Sequence, residues 1–217
     1  MFFWEERPRT RGPKPALTLD RIADAAIAVA DAEGLAAVTM QRVAADVGYT
    51  KMSLYRYVPG KTELVAVMLE RAIGEPPVGG AGDWRTALSA WAEALLGRYA
   101  PHPWAIEATA GGRPIGPNEL SWMESALAVL PGGLTGAERM DAVAAVAGQV
   151  RMIAGQAATT ESELTATIGL VLREHADRFP ALAAAVSDTA TRGGQDQAFR
   201  FGLERILDGL EVLIQRR

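Results

Sequence analysis

Apolar positions recur along this chain at helical spacing, and strict apolar–polar alternation over strand-length runs is absent. The first periodic segment opens at Thr18, a residue type favoured as a helix N-cap. It carries Leu19, Ile22, Ala26 and Val29 on one stripe before Gly34 stops it. Thr39 opens a short second helix with Val43, Ala44 and Val47 inward, closed by Gly48. After a tight turn, a third short helix is predicted from about Thr50 to Tyr57. Pro59-Gly60 ends it, and a fourth runs from Lys61 to Ile73 with Leu64, Val65 and Met68 on its inner face. Further helical patterns lie at about 83–99, 103–110, 117–130, 136–157, 162–177 and 195–215, and Thr135 with Glu138 makes a capping box. The fold class that follows is all-α.

Two stretches break the periodicity. Residues 1–17 are rich in Pro, Gly and Arg and predict a flexible basic arm, while residues 74–82 hold four glycines and two prolines and predict a linker. The expected organisation is therefore an arm over 1–17, a small helical domain over 18–74, and a larger helical domain over 83–217.

Composition narrows the chemistry. A 49% hydrophobic content with 22% charged residues suits a globular chain. With no cysteine there are no disulfides, thiolate metal sites or cysteine nucleophiles, and two histidines (His102 and His175) are too few for a histidine-rich metal site. No metal and no cofactor are expected. The longest run without a charged side chain, Ser125 to Ala137, is interrupted by Pro131, Gly132 and Gly133 and falls short of the roughly 18–20 residues of a membrane span. The N-terminal MFFWEERPRTR has acidic residues where a signal peptide needs its apolar core, so a cytoplasmic protein is expected, with no membrane partner.

The net charge of −4 hides an asymmetry. Residues 1–74 hold ten Lys/Arg against nine Asp/Glu, whereas residues 75–217 hold twelve against seventeen. Between Arg7 and Arg21 there are five basic residues (Arg7, Arg9, Arg11, Lys14 and Arg21) against Asp20 alone. What binds phosphate is a local basic face and not the total. The basic arm would act as a solvated electrostatic tether or enter a minor groove.

The second and third short helices, joined by a turn at Gly48, have the layout of a helix-turn-helix, and the third is preceded by its own cap. In that third helix Thr50, Lys51, Ser53, Tyr55, Arg56 and Tyr57 outnumber the apolar residues. A short polar, cationic helix of this kind suits the major groove. A helical bundle can also contain this geometry without touching DNA.

The ordered string Ile22-Ala23-Asp24-Ala25-Ala26, Glu33-Gly34, Thr39-Met40-x-x-Val43-Ala44, Val47-Gly48, Ser53-Leu54-Tyr55-Arg56-Tyr57-Val58 and Lys61-x-x-Leu64 resembles the DNA-binding domain of the tetracycline-repressor (TetR) family. The chain departs from the family pattern at Tyr57 and at Pro59-Gly60. By position, the resemblance implies phosphate contacts from Thr39, Ser53, Tyr57 and Lys61. It implies base-edge or thymine-methyl contacts from Lys51, Met52 and Tyr55. The chemistry agrees in type, because Lys donates to guanine, Met packs on a thymine methyl and hydroxyls satisfy phosphate oxygens. Leu54 is expected in the core.

A recognition helix this small reads few base pairs, so a dimer on a two-fold operator in double-stranded DNA is expected. Two late stripes are candidates for its surface: Met140, Val143, Ala144, Ala147, Val150 and Ala154 on one helix, and Phe199, Leu203, Ile206, Leu207, Leu210 and Ile214 on another. Either could be the chain's own core. The resemblance, fainter here and best over Phe201 to Leu210, implies that they pair with their copies in a homodimer. Trp84, Trp91, Trp104 and Trp122, with His102, Arg113, Asn118, Met123 and Gln149 interspersed, are candidate walls of a small-molecule effector pocket. Each tryptophan taken alone also suits plain core. Tetracycline repressors carry a ligand histidine just after the fourth helix, where this chain has Pro76-Pro77, which argues against a magnesium–tetracycline effector.

The expected function is a dimeric regulator, of repressor type, released from a palindromic operator by a small molecule. The alternative keeps the DNA-binding module and makes the C-terminal part a dimerisation or protein-partner scaffold. An enzyme is not expected: there is no phosphate loop, metal-ligand cluster or nucleophile–base pattern, and Glu174-His175 sits on an ordinary helix.

Overall fold

The computed structural model describes residues 2–4, 17–77, 82–156, 161–193 and 197–216, excepting the side chains of 161–163. The described residues form helices and turns without strands, in two compact units, residues 1–132 and 133–217. The first unit contains α1 (Leu19–Glu33), a 3-10 turn (Leu35–Ala37), α2 (Met40–Val47), α3 (Lys51–Tyr55), α4 (Lys61–Ile73), α5 (Trp84–Tyr99), α6 (Trp104–Ala108) and α7 (Pro117–Val129). The second contains α8 (Gly136–Gly155), α9 (Glu161–His175), α10 (Pro180–Arg192) and α11 (Ala198–Gln215).

Local chemistry sets the helix ends. Thr18, Thr39 and Thr50 each accept a hydrogen bond from a backbone N–H three residues on, opening α1, α2 and α3. Thr135 and Glu138 form the reciprocal capping box at the head of α8. Gly48 sits at φ 78°, in the left-handed region that a Cβ disfavours, and its N–H with that of Tyr49 closes the end of α2.

In the first unit α1, α2, α3 and α4 pack around Ile22, Val38, Val43, Leu54, Val58, Leu64 and Met68, all fully buried. α4 also meets α5, α6 and α7 within the first compact unit. In the second unit α8 packs along α11, burying Val146, Val150, Leu203 and Leu207, while α9 and α10 pack on each other.

Three details differ from the sequence expectation. α3 ends at Tyr55, with Arg56 as its cap, two residues short of the expected end. Val65 is half-buried, and the enclosed side chains of α4 extend instead over Ala66, Val67, Met68 and Leu69. α10 was not expected. Pro180 stands at its first turn, where the missing N–H leaves nothing unsatisfied, and the helix has no buried residue to mark an apolar stripe. The expected basic arm falls mostly on residues 5–16, outside the described residues; at its tip, the Trp4 indole donates to the Ile115 carbonyl at 3.4 Å.

Candidate nucleic-acid interface

α3 is held by one face and open on the other. Leu54 and, beyond the helix, Val58 are fully buried, and α3 packs against α2. Its start is fixed by Thr50, whose Oγ1 accepts from the Ser53 N–H at 3.3 Å and lies 3.0 Å from Ser53 Oγ. The turn ahead of it is braced from α1: Arg21 donates to the Val47 carbonyl at 3.2 Å and lies over the Tyr49 ring.

Leu54 is buried, while Lys51, Met52 and Tyr55 are all exposed. Met52 is 73% exposed, an apolar side chain left in water on an otherwise polar surface. Tyr55 is also on this surface, with the Lys51 ammonium 5.6 Å from its ring centroid. Ser53 and Tyr57 are half-buried at the flanks. Thr39 is exposed at the head of α2, its hydroxyl accepting from the Arg42 N–H at 3.1 Å. Lys61, in the first turn of α4, donates to the Leu35 carbonyl at 3.3 Å. Arg42, beside Thr39, pairs with both Glu33 and Asp46, and the two carboxylates raise its already high pKa.

Three of the four candidate pocket tryptophans fall into two groups in the first unit. Trp91 and Trp122 meet edge to face at 5.6 Å; the Trp91 indole donates to the Trp122 carbonyl (3.0 Å), and the Trp122 indole to the Gly74 carbonyl (2.9 Å). Trp104 and His102 gather on α1, where Asp31 Oδ1 accepts from the Trp104 indole at 2.6 Å and lies 2.8 Å from His102 Nδ1. Arg113 forms a two-pronged pair with Glu119, both bonds 2.6 Å, and this pairing raises its pKa against the opposing effect of burial. Trp84 and Met123 are half-buried. Gln149 lies in the second unit, its amide donating to the Ala198 carbonyl at 3.0 Å. Gly202 makes room for it, since a Cβ there would stand 2.2 Å from the Gln149 side chain.

Of the expected dimer residues, Val150, Ala154 and Leu203 are buried within this chain, and Ala147, Ile206 and Leu210 are half-buried. Phe201, Met140 and Met152 are exposed on the same two helices.

Sequence reasoning missed two acidic residues. Asp31 gathers the two aromatic rings of the α6 region, and Glu70 is buried at the end of α4. Glu70 accepts from the backbone N–H groups of Asn118 and Glu119, yet burial outweighs those bonds and raises its pKa. The one signal was a carboxylate inside the apolar run Leu64 to Ile73, pointing to a buried role without naming a partner.

Residues 22–68 match the family described as bacterial regulatory proteins, tetR family, and residues 76–214 match the tetracyclin repressor-like C-terminal domain. The HTH-type transcriptional repressor DrrR1 of Streptomyces coeruleorubidus is 40% identical, covering 99% of this chain and 85% of that protein. Apo ActR of Streptomyces coelicolor has a TM-score of 0.80 at 26% identity, covering 94% of this chain and 99% of the other. ActR in complex with actinorhodin has a TM-score of 0.76 at 27% identity, covering 91% and 96%. A capped helix-turn-helix with a polar outward face, matched by both family models in their expected order, places this chain in the tetR family of DNA-binding transcription regulators.

Proposed function

We propose that this protein is a homodimeric repressor that reads a palindromic operator through α3 and leaves it when a small molecule binds its C-terminal part. The observation that carries the reading is the outward face of α3, where Lys51, Met52 and Tyr55 stand exposed on a helix anchored by fully buried Leu54. Thr39, Ser53, Tyr57 and Lys61 surround that face and supply phosphate contacts, which position the protein, while the central three read base edges. Residues 18–74 form the DNA-reading part and residues 83–217 the effector-binding and dimer-forming part.

Repression is supported by the likeness to DrrR1, and effector release by the actinorhodin complex of ActR. In the dimer, Ala147, Ile206 and Leu210, half-buried on α8 and α11, pair with their copies beside Val150, Ala154 and Leu203. The effector acts by binding one conformation more tightly than the other, so that the two copies of α3 no longer match the groove spacing. The protein acts in the cytoplasm; among the described residues no helix is long and apolar enough to cross a membrane.

One observation favours the scaffold alternative. The Trp91, Trp104 and Trp122 indole N–H groups all donate to groups of this chain, as core tryptophans do. Selection of bound duplexes from a random DNA pool at fixed salt tests the main reading, with an inverted repeat as the expected product. Loss of operator binding on adding an aromatic compound such as actinorhodin supports the effector reading. A palindrome whose binding no such compound alters supports the scaffold, and enrichment of no sequence overturns both.

A further inference from the structure

α4 is enclosed along its C-terminal half, where Ala66, Val67, Met68, Leu69 and Glu70 are all buried. Five consecutive buried residues cannot share one helix face, so α4 is gripped from several sides. On one side Arg71 pairs with Asp20 and Asp24 of α1. On another, Glu70 reaches the N-terminus of α7. Its two carboxylate oxygens accept from the N–H groups of Asn118 (2.8 Å) and Glu119 (2.9 Å), and Asn118 Nδ2 donates back to the Glu70 carbonyl (2.9 Å). Further along α7, Trp122 holds the Gly74 carbonyl, at the residue that ends α4.

No side chain of the α7 cap itself bonds to the first turn, and Glu70 supplies that cap from another helix. The backbone makes room for it: a Cβ on Gly116 would stand 2.2 Å from the Glu70 carboxyl carbon. Burying a carboxylate is an expensive way to join two helices that apolar side chains could join. What it adds is direction, since two N–H bonds to one rigid carboxylate fix both the separation and the angle of the helices.

We propose that Glu70 is a positioning residue whose clasp on the N-terminus of α7 sets the placement of α4 and, through it, of the reading helix α3. The inference rests on the reading of the chain as a dimeric operator-binding regulator. α3 and α4 are joined through a short connection with fully buried Leu54, Val58 and Leu64, so the two helices shift together. The lever is α4 itself, 13 residues and about 20 Å long. A change of angle at Glu70 therefore displaces Lys51, Met52 and Tyr55, and a two-fold operator tolerates little displacement of the paired helices.

The test compares the wild type with Glu70→Gln and Asn118→Ala. Hydrogen exchange is measured on the free protein, and affinity on the selected operator and on a scrambled duplex. In Glu70→Gln one acceptor oxygen becomes an amide donor facing an N–H. Operator affinity is expected to fall about tenfold, the scale of one interaction coupling two sites, with scrambled-duplex affinity unchanged. Exchange is expected to rise at residues 118–120 and also over 51–64. Asn118→Ala, which removes one bond without touching the buried carboxylate, should give the same pattern more weakly, and it carries both readouts if Glu70→Gln does not fold. Faster exchange confined to residues 118–120, or equal losses on both duplexes, overturns the proposal by reducing the clasp to a local support. Failure of the wild type to select any operator would sink the regulator reading, and the exchange comparison would still decide the clasp.

Discussion

Lys51→Ala separates base reading from phosphate attraction. Lys51 is exposed at the start of α3, and its ammonium lies over the exposed Tyr55 ring at 5.6 Å. Alanine favours helix more than lysine does, and no buried contact is lost, so folding stability should change by less than about 0.5 kcal/mol. A lysine that donates to a base edge contributes about 1–3 kcal/mol of discrimination. Leaving the Tyr55 ring to reach the base forfeits about 0.5–1 kcal/mol, which leaves a net effect of about 1 kcal/mol per copy. Two copies in a dimer then give about 2 kcal/mol or somewhat more, a loss of roughly 30-fold. The assay is fluorescence anisotropy on the selected operator and on a scrambled duplex of equal length, each at several salt concentrations. The operator should lose about 30-fold and the scrambled duplex much less, with the sequence preference relaxed at the contacted base. Equal losses on both duplexes, with the salt slope reduced by about one per contact, would refute the reasoning and make Lys51 a phosphate contact.

Other perturbations probe the supports of the same face. Leu54→Ala removes the fully buried anchor of α3 and should destabilise the first unit by about 2–5 kcal/mol in denaturant unfolding, with binding lost on every DNA sequence alike. Trp104→Phe keeps an aromatic ring but removes the pyrrole half of a buried indole together with its donor to Asp31, and should cost more than about 1 kcal/mol in thermal unfolding; an unchanged midpoint would show that neither the bond nor the lost packing adds anything. Burial raises the Glu70 pKa, so the native state holds that proton more tightly than the unfolded chain. Its contribution to stability is therefore greatest below the ordinary glutamate pKa and declines as pH rises through the raised value. The stability difference between wild type and Glu70→Gln should drift with pH in that window and be flat above it, and a difference that does not vary with pH would contradict the assignment.

How much was legible depended on the reach of each interaction. The caps at Thr18, Thr39 and Thr135, the stop at Gly34 and the αL turn at Gly48 depend on residues within a few positions of each other, and periodicity could find them. The burial of Leu54 was legible as well, whereas the neighbours expected to face DNA were named by the family resemblance and not by periodicity. α10 was not legible, because a helix with none of its side chains buried has no apolar stripe for periodicity to find.

The sequence by itself determined the all-helical class and the helix-turn-helix, since each is set by local propensity, capping and period, while the residues proposed to meet DNA came only by position from the family resemblance. Only the tertiary structure decided which side chains hold the helices in place. Glu70 meets Asn118 and Glu119 from nearly fifty residues away, and Asp31 meets His102 and Trp104 from more than seventy. Such pairings carry no spacing rule, because they depend on where α4, α6 and α7 come to rest once their apolar faces have packed. The same packing gave Trp91 and Trp122 partners within the chain and buried Val150 and Leu203 in it, choices that composition had left open.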